Sequence, residues 1–247
     1  MDNLVIFILL ALVAEILGTI GGFGSSLFFV PIASFFLDFH SVLGITAIFH
    51  VSSNLTKITF FRKGIDKKLI IWVGIPAIIF VIIGAYISKY LKNLYLEIGL
   101  SVFLIFTSLI FLIFKKIKIK TTIKNSIFGG VFSGLIAGLI GTGGAIRGIT
   151  LASFGLKIET FIATSAFIDL GVDFSRGVVY YTNGFIHKHD LYLIPILLIV
   201  SVLGTFIGKK ILDYISEKKF KSFVLILILI TGIITLIKII FFSSFYN

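Results

Sequence analysis

Hydrophobic residues fill long runs along this chain, and polar residues gather in short clusters between them. The runs fall at 4–17, 26–37, 42–61, 69–88, 94–114, 126–140, 145–155, 160–181, 191–212 and 222–242. A helix needs about 20 apolar residues to cross a membrane. The runs at 4–17, 26–37, 126–140 and 145–155 fall short of that. They form two pairs, each joined by a glycine cluster. Each pair is therefore one broken span or a helical hairpin that turns back inside the protein. None of the longer runs alternates apolar with polar residues, which excludes a β-barrel. The pattern predicts an all-α polytopic membrane protein.

The pattern also repeats, with an offset of 120 residues and no gap. Gly18, Ile20, Gly21 and Gly24 recur as Gly138, Ile140, Gly141 and Gly144. Ile48, Gly64, Lys68, Gly84 and Lys89 recur as Ile168, Gly184, Lys188, Gly204 and Lys209. A duplicated membrane unit opening on a glycine-broken segment predicts a transporter with a pseudo-symmetric site.

Lysine and arginine positions choose between the two layouts. If each pair is one span, the halves are parallel and the basic residues outside the spans divide 11 to 8. If each pair is a hairpin, the halves are inverted. One side then holds Arg62, Lys63, Lys67, Lys68, Lys157, the five lysines of 115–124 and the five of 209–221, which is 15. The other side holds four: Lys89, Lys92, Lys188 and Lys238. The second split obeys the positive-inside rule. The expected architecture is two inverted-topology repeats, each a Gly-broken hairpin plus three spans, in one membrane domain. Repeat one covers 1–120, with hairpin 4–37 and spans 42–61, 69–88 and 94–114. Repeat two covers 121–247, with hairpin 126–155 and spans 160–181, 191–212 and 222–242. Both termini are expected outside. The linker 115–125 reads as a basic connector at an anionic lipid surface.

Glycine permits positive φ and close backbone approach. Broken helices inside a membrane survive only where protein buries them or a cavity takes them. The helix after each break offers N–H groups and a positive dipole end to an anion. Gly21, Gly22, Gly24 and Ser25, with Gly141, Thr142, Gly143 and Gly144, are therefore candidate substrate-binding positions. The competing role is helix packing, which four-residue spacing favours for Gly18, Gly134 and Gly138.

The run Gly18-Thr19-Ile20-Gly21-Gly22-Phe23-Gly24-Ser25-Ser26, the apolar stretch with Pro31, the basic loop at Gly64 and the duplication of this layout resemble the TauE/SafE sulfite exporter family, also called TSUP. The resemblance covers nearly the whole chain. It implies a transporter of sulfite, an organosulfonate or another small sulfur-containing anion. One departure is Pro31, whose mate is Leu151.

Ionisable residues at membrane depth are costly and mark functional candidates. His50, Asn54 and Lys57 share one helical face, and Asp169, Asp173 and Arg176 share another at the same spacing. Arg147, Arg176 and Asn54 are candidate anion contacts, with Lys57 as a further attracting cation. Glu15, Asp169, Asp173 and His50 are candidate coupling groups. The alternatives are structural ion pairs, such as Asp173 with Arg176 or Glu15 with Arg147, and a Lys57 that snorkels to the surface. His187, Lys188, His189 and Asp190 read as a solvated outer loop rather than a metal site, and Trp72, Tyr180 and Tyr181 as interfacial aromatics.

Composition narrows the picture further. The chain is 58% hydrophobic and carries a net charge of +11. Lysines at cytoplasmic helix ends account for that charge, so nucleic acid is not an expected partner; the expected partners are a small anion and lipids. There is no cysteine, hence no disulfide and no thiolate metal site. No cleavable signal peptide is read at the N-terminus. No metalloprotease, serine-hydrolase or P-loop motif is present, so neither an enzyme nor a cofactor is expected. The other readings are a proton- or cation-coupled transporter of another small solute, and a non-transporting membrane scaffold. The expected location is a prokaryotic cytoplasmic membrane.

Overall fold

The apolar runs are helices, and the glycine clusters are the turns between them. The computed structural model describes residues 2–61, 64–113, 120–212, 214 and 217–242, and among these there is no strand. The first half contains α1 (Asp2–Gly21), α2 (Ser26–Ala33), α3 (Phe39–Phe60), α4 (Lys67–Leu69), α5 (Ile75–Ser88) and α6 (Asn93–Ile113). A π-helical turn, Ile70–Gly74, joins α4 to α5. The second half contains α7 (Ile123–Ile140), α8 (Gly144–Ala152), α9 (Ile158–Thr182), α10 (Leu193–Leu212) and α11 (Glu217–Phe242). The expected basic positions Arg62, Lys63, Lys115, Lys116 and Lys118 lie outside the described residues.

Among the described helices, Leu4–Gly21, Lys67–Ser88, Asn93–Ile113, Ile123–Ile140 and Leu193–Leu212 are long and apolar enough to cross a membrane. This corrects one expectation. The first arm of each hairpin is long enough to span, and only the second arms, of 8 and 9 residues, are short. The reason is that Gly18–Gly21 remain helical. The chain leaves the helix only at Gly22, whose φ is 70°, and in the second half at Gly141, whose φ is 81°.

Both pairs fold back as hairpins. Phe7 stacks on Phe29 and Phe36 while Gly18 lies on Ser25, so α2 runs antiparallel to α1. Thr150 covers Gly129 and Gly143 lies on Ser133 and Ala137, so α8 runs antiparallel to α7. Contacts between the halves are also ordered. Gly204 meets Glu15 and Gly208 meets Thr19, which makes α10 parallel to α1. Gly130, Gly134 and Gly138 meet the backbone of Val73, Ala77 and Val81, which makes α7 parallel to α5. A side chain at any of those three glycines would overlap a carbonyl oxygen, so close packing requires glycine there. Helices α3 and α9 are antiparallel, from Thr160 beside Gly64 to Gly177 beside Ala47. Helices α6 and α11 are antiparallel as well, with Leu104 beside Gly232 and Glu97 near Lys238.

The polar stripes of α3 and α9 face each other in the interior. Outward positions such as Ile79, Phe106, Phe174, Ile199 and Ile240 are exposed and apolar, as a lipid-facing surface requires. Tyr180 is not interfacial as expected: it is buried, and its hydroxyl donates to the Gly138 carbonyl at 2.7 Å.

Candidate functional site

Sequence places Glu15 within the apolar body of α1, and the structure surrounds that acid with donors. Glu15 is fully buried. It accepts hydrogen bonds from Ser25 and Ser53 at 2.6 Å, Thr205 at 3.0 Å and Thr19 at 3.2 Å. Lys57 Nζ lies 2.8 Å from Glu15 Oε1 and donates to Ser53 Oγ at 2.7 Å. Of the alternatives weighed from the sequence, a Glu15–Arg147 pair and a Lys57 that snorkels to the surface do not occur: Lys57 is buried and turned toward Glu15.

Two further ion pairs lie near this one. Arg147, in the first turn of α8, pairs with Asp169 and donates from Nε to Ser165 Oγ at 3.1 Å. Arg176 pairs with Asp173 of its own helix at 2.6 Å. It also donates to the carbonyls of Gly141 at 2.6 Å and Ala137 at 3.1 Å. Arg176 thus closes the C-terminal end of α7, where a cation meets the negative end of the dipole. Asn54 donates to Asp173 Oδ2 at 2.7 Å, joining α3 to α9.

His50 bridges the networks. Its Nε2 is 3.1 Å from Ser25 Oγ, and Nδ1 is 3.9 Å from Asp173 Oδ2. Ser25 has one hydroxyl proton, which goes to Glu15, so His50 Nε2 carries the proton that it shares with Ser25. Polar contacts therefore run from Lys57 through Glu15 and Ser25 to His50, and His50 Nδ1 stops 3.9 Å from Asp173 Oδ2, the carboxylate that pairs with Arg176. An interior with one carboxylate for each cation avoids the large penalty of an uncompensated buried charge.

Beside this network lies a small polar cavity. Its walls are Gly18, Thr19, Gly22 and Gly24 of the first hairpin tip, Asn54 and Lys57 of α3, and Ile162, Ser165, Ala166 and Asp169 of α9. The Asp169 side chain is 13% exposed, more than any other carboxylate or cation of the three pairs. Gly24 has φ of 87°, and a Cβ there would lie 3.7 Å from Arg147 and 3.9 Å from Asp169.

The two glycine breaks meet, but they are not equivalent. The Phe23 carbonyl occupies the space that a side chain at Gly144 would need, and Thr142 Oγ1 donates to Ser26 Oγ at 3.1 Å. A Cβ at Gly143 would overlap the Ser133 carbonyl, and one at Gly141 would press on Leu43 and Val30. The second cluster is packed against protein, while the first faces the cavity. Neither α2 nor α8 has a side-chain cap at its N-terminus, whereas Asp38, Asp66 and Thr122 cap α3, α4 and α7.

With this arrangement in view, comparison with known proteins decides the family. The family model described as Sulfite exporter TauE/SafE matches residues 7–235. The chain belongs to that family. TauE/SafE proteins are membrane transporters and not enzymes, so this chain is an integral membrane transporter. No protein of curated function matches the chain.

Sequence reasoning missed Ser165 and Thr205. Ser165 lies four residues before Asp169, on the same face of α9, so the spacing that revealed Asp173 also points to it. Thr205 is one of two hydroxyl residues in an apolar span, with Ser201, and nothing in the sequence says that it reaches Glu15.

Proposed function

We propose that the protein is a secondary transporter of a small anion, sulfite, an organosulfonate or a related sulfur-containing anion. The observation that carries this reading is the polar cavity at the first hairpin tip, walled by Asn54, Lys57, Ser165 and Asp169, with Arg147 beside Gly24. An oxyanion there meets hydroxyl and amide donors, two cations and the N–H groups leading into α2. All three cations already hold carboxylates, so an anion must compete with one. The Arg147–Asp169 pair is the most accessible. An anion that takes Arg147 leaves Asp169 without its partner, and a proton on Asp169 restores neutrality. Anion entry and proton uptake are thereby linked through charge balance. Glu15, Asp173 and His50 lie behind that exchange. Arg176, held on two carbonyls, serves the scaffold.

We further infer that the halves, 1–120 and 121–247, are inverted-topology repeats of one membrane domain. The contact pattern supports this. The pair Gly204–Glu15 has the sequence mates Gly84–Leu135, which also touch. Under this topology Lys67, Lys68, Lys120, Lys124, Lys157, Lys209 and Lys210 lie at the cytoplasmic end and Lys89, Lys92, Lys188 and Lys238 outside. The membrane is the cytoplasmic membrane of a prokaryote.

Proteoliposome flux tests the reading. Labelled sulfite or an organosulfonate should enter saturably with the wild-type protein. Arg147→Gln should weaken the apparent affinity at least about tenfold, the scale of one charge-assisted hydrogen bond. Asp169→Asn should flatten the dependence of flux on pH. Transport of cations alone, with no sulfur oxyanion moved, overturns the proposal in favour of a cation transporter.

A further inference from the structure

At the other end of α3 from the cavity, the turn before α10 gathers two imidazoles and a carboxylate. His187, His189 and Asp190 each present a ligand atom, and these atoms lie within 4.8 Å of one another. His189 Nε2 is 3.4 Å from Asp190 Oδ1, and His187 Nδ1 is 3.8 Å from Asp190 Oδ2. The two rings stack nearly parallel, 5.3 Å apart. Asp190 is 2% exposed, and its Oδ2 is a buried oxygen without a hydrogen-bond partner among the described residues. Such a group is costly unless something compensates it. Lys188, the nearest cation in sequence, is exposed and forms no ion pair with it among the described residues.

We propose that His187, His189 and Asp190 bind a divalent transition-metal ion, with Zn²⁺ the best match. Two imidazoles and one carboxylate are a zinc donor set, and they leave a fourth position open. Ligand bonds of about 2.0–2.2 Å require these side chains to turn toward a common point from their present spacing. His187 is already oriented. Its Nδ1 lies 2.6 Å from Ser41 Oγ and 3.6 Å from Asp38 Oδ2, so the nitrogen that faces Asp190 exchanges the Ser41 hydroxyl for the ion. Asp38 and Ser41 form the N-terminal cap of α3, with Ser41 N donating to Asp38 at 3.1 Å. An ion here therefore acts on the contact between the turn before α10 and the start of the helix that carries Asn54 and Lys57. The His189 side chain is 74% exposed, so the ion has access from solvent. Sequence spacing alone favours a solvated loop; the unpartnered buried oxygen is what changes the reading.

The site stands independently of the transport proposal and is tested without it. Full-length protein carrying no polyhistidine tag is titrated with ZnCl2 alone in a calorimeter. One equivalent should bind, and MgCl2 should not compete. His189→Ala removes an exposed ring and should leave folding intact, as its unchanged melting temperature without zinc would show. It should weaken zinc binding at least tenfold, and Asp190→Asn should do the same. No binding by the wild-type protein, or unchanged affinity in either variant, overturns the site.

Discussion

At the scale of single residues, the interior is governed by the cost of burying charge. Glu15 and Lys57 illustrate this. Each is almost completely enclosed, and each has the other as its ionic partner. Removing one partner of a buried pair costs about 3–5 kcal/mol, because the remaining charge is stranded. Glu15→Gln and Lys57→Met should therefore each lower the melting temperature of the purified protein strongly. The double variant should lose much less than the sum of the two, since no charge is stranded in it. Additive losses would show that the two side chains are not coupled. Sequence revealed that these residues were unusual but not how they pair. Their partners come from different helices, and the stripes of α3 and α9 are offset by one residue in the repeat alignment. Asp169 aligns with Phe49, and Arg176 with Thr56, so no mate predicts a partner.

At the scale of helical elements, the two glycine breaks have the same sequence signature and different surroundings. This difference was not legible in the chain. A glycine needed for positive φ and one needed for close approach look alike until the neighbouring atoms are placed. The helix ends were misjudged for the same reason: Gly18–Gly21 read as a break, yet they continue α1 because Gly18 admits Ser25 against its backbone. The consequence is measurable. At Gly24 a Cβ has ordinary contact distances, so Gly24→Val meets backbone strain without a Cβ overlap. It costs about 1–2 kcal/mol for the left-handed backbone and fills the cavity. At Gly144 a Cβ would overlap the Phe23 carbonyl. We expect Gly24→Val to be recovered from the membrane in monodisperse form but without anion flux. We expect Gly144→Val to be lost at the folding stage, seen as low yield and aggregation in size-exclusion chromatography. The opposite result, an inactive but well-folded Gly144→Val beside a fully active Gly24→Val, would move the site to the second hairpin tip.

At the scale of the whole molecule, the offset of 120 residues and the lysine distribution carried most of what the sequence could say. Ten hydrophobic runs anticipated the long helices and the two short hairpin arms but not the break between α4 and α5, and duplication suggested their grouping. The direction of each half depends on whether the glycine breaks lie within a span or turn it back. The observed contacts favour the second. Helices α1 and α2 are antiparallel, as are α7 and α8, while α1 follows α10 and α7 follows α5. Two pairs of sequence mates touch directly, α3 with α9 and α6 with α11, and each pair runs in opposite directions. The chain has no cysteine, so single cysteines report their side without background. Substitutions at Lys120, Lys157 and Tyr214 should react with a membrane-impermeant maleimide only after the cells are opened. Substitutions at Tyr90 and Lys188 should react in intact cells. Tyr90, Lys188 and Tyr214 are exposed turn positions, so poor labelling through burial is not expected there. The decisive comparison is Lys68 with Lys188, which are repeat mates. Inverted halves put them on opposite sides of the membrane, and parallel halves put them on the same side. Labelling of both from one side would overturn the inverted arrangement.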